Sequence, residues 1–116
     1  MRFLIMVRSA EGAGPPPKPL MDAIAKAGEE ATRAGTPVET GGLFPTAMGA
    51  RVRLRKGALN ATDGPFTESK EVVGDFAIWN VKSKAGAIDV ARQFLEMHRE
   101  HWPGWEGEAE VRQMFD

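Results

Sequence analysis

The chain has 116 residues, no cysteine, and 15 Lys and Arg against 16 Asp and Glu, which leaves a formal charge of -1. This balance argues against nucleic-acid binding, which needs a basic face to neutralise phosphates, and the lack of cysteine excludes disulfides and thiolate chemistry. The longest apolar run near the start, Phe3 to Val7, is too short for a signal peptide or a membrane span. We therefore expect one cytoplasmic domain over residues 1–116, with no nucleic-acid or membrane partner.

Two elements are predicted in the first third of the chain. Residues Arg2 to Arg8 are apolar on both faces of a strand, which is typical of a central position in a sheet. The Gly- and Pro-rich stretch from Ser9 to Pro17 predicts a surface connector, with a mobile lid as the alternative. From Pro19 to Ala34 apolar residues recur every three or four positions, which predicts an amphipathic helix that Gly35 ends.

A second strand and a β-hairpin follow. Val38 to Phe44 predicts a short strand in which Gly41-Gly42 favours a β-bulge, the alternative being close approach of a backbone or a ligand. Between Ala50 and Lys56 apolar residues alternate with arginines, as on a strand with one apolar and one polar face. Lys56-Gly57 suits a tight turn, and Ala58 to Thr62 is then the partner strand.

The last third of the chain predicts a strand, a helix and a closing strand. Asp75 to Val81 is again apolar on both faces. Ser83 is a suitable N-cap for the second helix, which Pro103-Gly104 ends. Glu108 to Phe115 alternates in polarity and predicts the last strand.

The order of these elements predicts the fold class. A β-α-β unit, a hairpin and a second β-α-β unit indicate an α+β fold of ferredoxin-like type: an antiparallel sheet with two helices on one face plus an extra β-hairpin. Two of its strands are apolar on both sides, so the sheet face without helices would be exposed in a monomer. We therefore expect a homodimer, with a pocket that the two subunits could share.

The stretch with the most chemical content is the nine residues from Asp63 to Glu71, Asp-Gly-Pro-Phe-Thr-Glu-Ser-Lys-Glu, which we call the signature loop. The chain must turn there, because Asp63 can bond its own backbone, Gly64 tolerates φ > 0 and Pro65 disfavours a helix before it. Phe66 places a large apolar side chain inside a turn, which predicts a loop folded back onto a core.

The signature loop and the arginines of the preceding hairpin form the first candidate site. Asp63 or Glu68 could act as a general base, and an arginine could hold an anionic substrate. The structural alternative is that Asp63 caps a turn and the other charged side chains are solvated or paired. The predicted catalytic residues are Asp63, Glu68 and His101, and the predicted ligand-binding residues are Arg51, Arg53, Phe66, Lys70 and Trp79.

His98 and His101, three positions apart on one helical face, form the second candidate site. That spacing can bind a metal, but the sequence offers no third histidine and no cysteine, so we expect no metal site. His101 could instead carry a proton in a pocket or complement the helix dipole. The sequence has no Gly-rich phosphate loop, serine nucleophile elbow or Walker pattern, and we expect no cofactor.

The signature loop closely resembles that of the YCII-related proteins of the DGPF type, small bacterial proteins named for the tetrapeptide Asp-Gly-Pro-Phe. The likeness continues, in the same order, through the opening Met-Arg-Phe-Leu-Ile-Met-Val strand, Gly41-Gly42, Gly74 to Trp79, and His101 to Glu108. It implies a dimer whose two sheets pack face to face into an α/β barrel, and it implies no particular substrate. Genes for similar proteins often lie near those for extracytoplasmic-function sigma factors, which implies an accessory or regulatory role.

One departure from the wider superfamily concerns catalysis. Many members carry a histidine on the first helix that is proposed to form a catalytic pair with an aspartate, but Pro19 to Ala34 contains no histidine. A pair of this kind in this chain would have to combine His98 or His101 with Asp63 or Asp75.

Three functions are consistent with these observations. The first is an enzyme that performs proton-transfer chemistry, such as isomerisation, elimination or degradation of a small organic acid, in the cavity of a dimeric barrel. The second is a module that binds or senses a small ligand without catalysis. The third, a structural dimer with a filled barrel, is disfavoured because polar residues such as Arg53, Asp75 and Asn80 alternate with apolar ones on the strands that would line the cavity.

Overall fold

The computed structural model describes residues 1–115, with the backbone alone at positions 37 and 38, and Asp116 lies outside the described residues. Every predicted helix and strand is present, with bounds that differ by a few residues. The elements are β1 (Arg2–Ser9), α1 (Lys18–Arg33), β2 (Pro37–Gly42), β3 (Ala50–Arg55), β4 (Ala58–Asp63), β5 (Val72–Asn80), α2 (Lys84–His101) and β6 (Gly107–Gln113), with a short 3-10 turn at Thr46–Met48.

Four strands form one antiparallel sheet in the order β2-β5-β1-β6, while β3 and β4 form a separate two-stranded sheet. Each β-α-β unit therefore holds a strand of the other unit between its own two strands. This interleaving is the arrangement of ferredoxin-like folds. The predicted α+β fold of ferredoxin-like type with an extra hairpin is confirmed.

The alternation of side chains along β1 shows where the core lies. Phe3, Ile5 and Val7 are 2%, 3% and 5% exposed, whereas Leu4 and Met6, which point to the other face, are half-buried. Both helices contact each other and the sheet, so they cover the face of β1 that is buried. The helices contribute the buried residues Leu20, Ala87, Ala91 and His98 to this core.

The sheet face without helices, which we call the open face, carries a row of apolar side chains. The register pairs Leu4 with Ile78 and Met6 with Phe76 across β1 and β5, and directly opposed residues share a face of the sheet. All four side chains are half-buried. Strands β1 and β5 are thus apolar on both sides, as predicted.

Gly41 of β2 lies beside the ring of Phe76 on this face. A Cβ at position 41 would come within 2.8 Å of that ring, so any larger residue would displace it. The β-bulge predicted at Gly41-Gly42 is wrong in position, because the irregular register of β2 falls between Pro37 and Glu39. The group that approaches Gly41 is the Phe76 side chain, and neither of the two groups named in the alternative, a backbone or a ligand.

The β3–β4 hairpin, which we call the arm, turns through Lys56-Gly57, as predicted. Both residues have positive φ angles, 50° and 78°, and two such residues are what a type I′ hairpin turn requires. One side of the arm is apolar, and its residues Val52, Leu54 and Leu59 are 71%, 69% and 71% exposed. The other side carries Arg51, Arg53 and Arg55.

The ends of the helices follow the predicted signals. The Ser83 hydroxyl accepts a hydrogen bond from the backbone N–H of Gly86 at 3.1 Å, which caps α2. After α1, Gly35 adopts a positive φ of 71° that favours glycine at a helix end. No helix among residues 1–115 combines the length and the apolar character that crossing a membrane requires.

Candidate functional site

Most of the predicted site residues lie at one end of the main sheet. Ser9, the last residue of β1, is opposite Val72 at the start of β5 and Gly107 at the start of β6, and Gly42 at the end of β2 is opposite Asp75. The signature loop, the connection from β2 to the arm, and the turn between α2 and β6 therefore meet at this end. We call it the signature end.

Thr46 holds the signature loop in place. Its hydroxyl accepts a hydrogen bond from the backbone N–H of Phe66 at 3.1 Å and donates one to the carboxylate of Glu11. The backbone N–H of Thr46 also donates to Glu11, at 2.9 Å. The two bonds to the carboxylate lower the pKa of Glu11, and the bond from the hydroxyl has the larger effect. The β1–α1 connection, the 3-10 turn and the signature loop are thus joined through one threonine.

Gly64 fits closely against the same 3-10 turn. Its backbone N–H donates to the carbonyl oxygen of Gly49 at 2.9 Å. A Cβ at position 64 would overlap the carbonyl oxygen of Thr46, a backbone atom that cannot rotate away. The second residue of the Asp-Gly-Pro-Phe tetrapeptide is therefore fixed as glycine by lack of space.

The side chain of Arg51 binds three residues of the signature loop at once. Its guanidinium lies over the ring of Phe66, 3.8 Å from the ring centre, and it donates to the Ser69 hydroxyl at 3.0 Å. It also forms an ion pair with Glu68, and Arg53 lies 3.9 Å from the same carboxylate. We call these five residues, Arg51, Arg53, Phe66, Glu68 and Ser69, the Arg51 cluster.

The Arg51 cluster contains four of the predicted site residues. Phe66 is half-buried, and the group that it packs against is the guanidinium of Arg51. Ser69 was not among the predicted residues, although its hydroxyl lies next to Glu68 in the one loop that carries the charged candidates. The cluster combines a fixed guanidinium, a hydroxyl and an aromatic face, which together suit a planar carboxylate.

Glu68 is held in its ionised form. Its own backbone N–H has the largest part in lowering its pKa, desolvation opposes this as the next largest effect, and the charge and hydrogen bond of Arg51 and the charge of Arg53 lower the pKa further. A carboxylate with a lowered pKa is a weaker base, because its ionised form is stabilised and it binds a proton less tightly. The geometry thus favours Glu68 as an ion-pair partner over Glu68 as a general base.

The structure places Asp63 on the other side of the arm from the arginines. Asp63 is opposite Ala50, whereas Arg51 is opposite Thr62, and successive positions of a strand point to opposite faces. The Asp63 side chain is exposed. It therefore belongs to the apolar side of the arm and does not converge with Arg51 and Arg53.

The remaining predicted residues are dispersed. Trp79 is opposite Phe3, so it lies on the helix-covered face of the sheet, where it is half-buried. Lys70 is exposed near the end of the signature loop. His101 ends α2, and its Nε2 lies 3.9 Å from the carboxylate of Glu100. The structure does not bring these three residues into the Arg51 cluster.

A second group surrounds His98, beneath the last turn of α2. His98 is 6% exposed, and its ring centre lies 4.7 Å from that of Phe94 and 4.3 Å from that of Trp105. Its Nδ1 is 2.9 Å from the carbonyl oxygen of Phe94, so Nδ1 carries the proton and donates it to this bond.

Asp75 of β5 lies on the side of the sheet that α2 and this histidine cover. It is opposite Val7 and therefore on the helix-covered face, and burial raises the pKa of its carboxyl while the charge of a protonated His98 opposes that effect. The predicted catalytic set contained neither residue. The sequence placed both residues at positions that face the core: His98 continues the apolar stripe of α2, and Asp75 shares the face of Ala77 and Trp79.

Two further observations concern metal binding and surface grooves. Within residues 1–115 no three His, Asp or Glu side chains lie close enough to hold a metal ion. A shallow groove of about 370 Å³ runs between α2 and β6 and contains none of the predicted site residues; it is lined by Ile88, Ala91, Arg92, Leu95, Glu96, Arg99, Ala109 and Val111.

Comparison with known protein families gives one match. The family model described as YCII-related domain matches residues 1–97 of the 116 residues. The matched range includes the arm, the signature loop, β5 and most of α2, and it ends one residue before His98. No curated protein matches the chain.

Replacing Gly64 with Ala should destabilise the protein by about 1–3 kcal/mol, the usual cost of overpacking, because the added methyl group overlaps the carbonyl oxygen of Thr46. The free energy of unfolding in urea measures this. Gly42→Ala is the matched control, since a Cβ at position 42 has no atom within 4 Å. Equal stability of the two variants would contradict the packing described for the loop.

Replacing Asp75 with Asn should change how stability depends on pH. Burial raises the folded-state pKa of Asp75 above its ordinary value, so the contribution of this carboxyl to stability is greatest at low pH and is lost as pH rises through the folded-state pKa. Asp75→Asn removes this loss, and its stability relative to wild type should therefore increase from about pH 4 to about pH 7.

Urea unfolding at the two pH values measures the effect of Asp75→Asn, and Asp89→Asn, at an exposed position of α2, is the control. The control should follow wild type at both pH values. Parallel curves for wild type and Asp75→Asn would show that the carboxyl of Asp75 titrates alike in the folded and unfolded chains.

Proposed function

This chain belongs to the family of YCII-related domains, and we propose that it is a homodimer that binds a small organic anion at the Arg51 cluster. The observation that carries the proposal is the arrangement of Arg51, which lies on Phe66 and donates to Ser69 while it pairs with the carboxylate of Glu68. That carboxylate shows what kind of group the cluster accepts. A ligand carboxylate would take its place between Arg51 and Arg53.

The chemistry of arginine supports an anionic ligand. A guanidinium is planar, remains charged at every physiological pH and presents donors in a fork that matches a carboxylate. Here Phe66 and Ser69 fix its plane, so little side-chain entropy is lost when a ligand binds. The Arg51 side chain is 31% exposed and that of Arg53 is 47% exposed, which leaves both accessible to a small molecule.

The open face of the sheet supports the homodimer. Leu4, Met6, Phe76 and Ile78 are only half-buried in a single chain, and completing their burial would add part of the about 1.5–3 kcal/mol that full burial of an apolar side chain contributes. Two copies with their open faces together would bury these residues in a barrel. Arg8 and Glu110, which form an ion pair at 2.7 Å near the edge of this face, would border the seam.

Two functions use such a ligand site differently. In the first, the protein is an acid–base enzyme in which Asp63, Glu68 or His101 transfers a proton to or from the bound organic acid. In the second, it is a non-catalytic sensor or accessory protein, linked to regulation by an extracytoplasmic-function sigma factor. The lowered pKa of Glu68 and the position of Asp63 on the far side of the arm favour the second function.

Arg51→Gln should weaken the binding of small carboxylates at least tenfold, because a hydrogen bond to a charged group contributes about 1.5–3 kcal/mol. The probes are the dicarboxylates malonate and succinate, titrated calorimetrically into the wild-type protein and the variant. Arg55→Gln is the matched control, since it removes the same charge from the same side of the arm but lies further from Glu68 in the hairpin register. An equal loss in both variants would point to general charge attraction and would contradict a site at Arg51.

Catalysis is tested separately, in heavy water. A proton-transferring enzyme would exchange the carbon-bound protons of a 2-oxo acid for deuterium, which proton NMR detects. Asp63→Asn should abolish that exchange without changing affinity if Asp63 is the base. A sensor should leave the spectrum of every bound acid unchanged, and exchange that persists in Asp63→Asn would exclude Asp63 as the base.

A further inference from the structure

The apolar side of the arm has no cover within its own chain. Val52, Leu54 and Leu59 are 71%, 69% and 71% exposed, and in the segment that precedes the arm Phe44 and Met48 are 80% and 71% exposed. Isolated exposed apolar residues are common on proteins, but three on one side of a single hairpin form a patch. Such patches on natural proteins usually mark a contact with another molecule.

The arm also lacks support from the rest of the fold. It forms a separate two-stranded sheet, and an isolated two-stranded hairpin is marginally stable in water. The chain is correspondingly extended: its radius of gyration is 15.8 Å, whereas a compact domain of this length has about 13 Å. Packing against another surface would supply the burial that this hairpin lacks.

We propose that the apolar side of the arm packs against a second copy of this chain, so that each subunit clasps the other. The distribution of charge favours a second copy as the partner. The segment Ala50–Asp63 contains four basic residues and one acidic residue, a charge of +3, so the rest of a chain with a total of -1 carries -4. The arm of one copy is thus electrostatically complementary to the body of another.

The area that would be buried also fits a second copy. Fully burying an apolar side chain removes roughly 80 Å² from water. The three residues of this patch would then bury roughly 240 Å², and the uncovered parts of the open face add apolar area of the same order. A standard interface buries about 800 Å² on each partner, of which somewhat more than half is apolar. Both surfaces together therefore supply most of that apolar part.

The proposed clasp links the dimer to the ligand site. Arg51 and Arg53 are on the opposite side of the same two strands, so contact in trans would fix the strand from which both guanidinium groups project. This inference rests on the proposed homodimer. It adds that the second copy holds the strand from which Arg51 and Arg53 project.

The first test replaces Leu54 with Glu and measures the mass of the full chain in solution by sedimentation velocity over a range of concentrations. A buried leucine in an interface contributes enough that its loss should raise the dimer Kd by about a hundredfold. Ala58→Glu introduces the same charge into the same hairpin on the arginine side, and it should remain dimeric. Circular dichroism shows whether each variant is folded.

The second test needs no destabilising charge. Because the chain has no cysteine, Leu59→Cys and Ala58→Cys each introduce a single thiol, at adjacent exposed positions on opposite sides of the arm. In concentrated protein a maleimide should react about tenfold more slowly with the thiol at position 59, as expected for a fully desolvated interface position. On dilution below the dimer Kd the two rates should become equal.

The outcomes separate this inference from the proposed function. A dimeric Leu54→Glu variant together with equal thiol reactivity would overturn the clasp and leave a dimer made by the open face. A wild-type protein that sediments as a single chain at every concentration would overturn both the clasp and the homodimer. Carboxylate binding to Arg51 would remain measurable in either case.

Discussion

Two helices cannot cover both faces of a four-stranded sheet, and this constraint determines the surface of the molecule. The helices bury Phe3, Ile5 and Val7 on one face of β1, while Leu4 and Met6 on the other face remain half-exposed. The sequence nevertheless keeps both faces of β1 and β5 apolar. Such a pattern is costly for a chain that stays alone in water, because the uncovered side chains gain little from folding. Burial of these uncovered side chains against another molecule would therefore stabilise an association.

The second determinant of the structure is how the signature loop is attached. Thr46 links it to Glu11, Gly64 fits against the 3-10 turn, and Arg51 connects it to the arm. Each link joins segments that are far apart in the sequence, so the loop takes its shape from its neighbours more than from its own turn residues. Loops that are held in this way by a rigid scaffold are where proteins place binding groups.

The sequence was informative where periodicity and local signals act alone. The helix bounds, the Lys56-Gly57 turn and the Ser83 cap depend on neighbours within a few residues, and all three were predictable. The pairing of Arg51 with Glu68 was foreseeable in part, because a short hairpin brings the two segments near each other. The bulge at Gly41-Gly42 was misplaced, since the ring of Phe76, which is distant in sequence, is what requires Gly41.

The positions of single site residues were harder to predict. Asp63 and Arg51 are both close to the hairpin, but a difference of one position in register decides which side of the arm each occupies. His98 and Asp75 come together only because α2 packs on the face to which Asp75 points. The predicted catalytic and binding residues therefore contained most of the Arg51 cluster, whereas His98 and Asp75 were named only as possible members of a His-Asp pair. Tertiary packing, which local patterns do not encode, made that difference.

Glu68 has a consequence for selectivity. Any anion that reaches Arg51 meets a carboxylate that is already there and is tethered to the same loop, and a tethered group competes as though it were present at millimolar concentration or above. A simple monocarboxylate would make with Arg51 the same contacts that Glu68 already makes, so replacing Glu68 would gain little binding free energy. A molecule with a second acceptor or an apolar body that covers Phe66 gains contacts that Glu68 cannot make. At the proposed site the internal carboxylate would therefore disfavour simple monocarboxylates relative to such larger ligands.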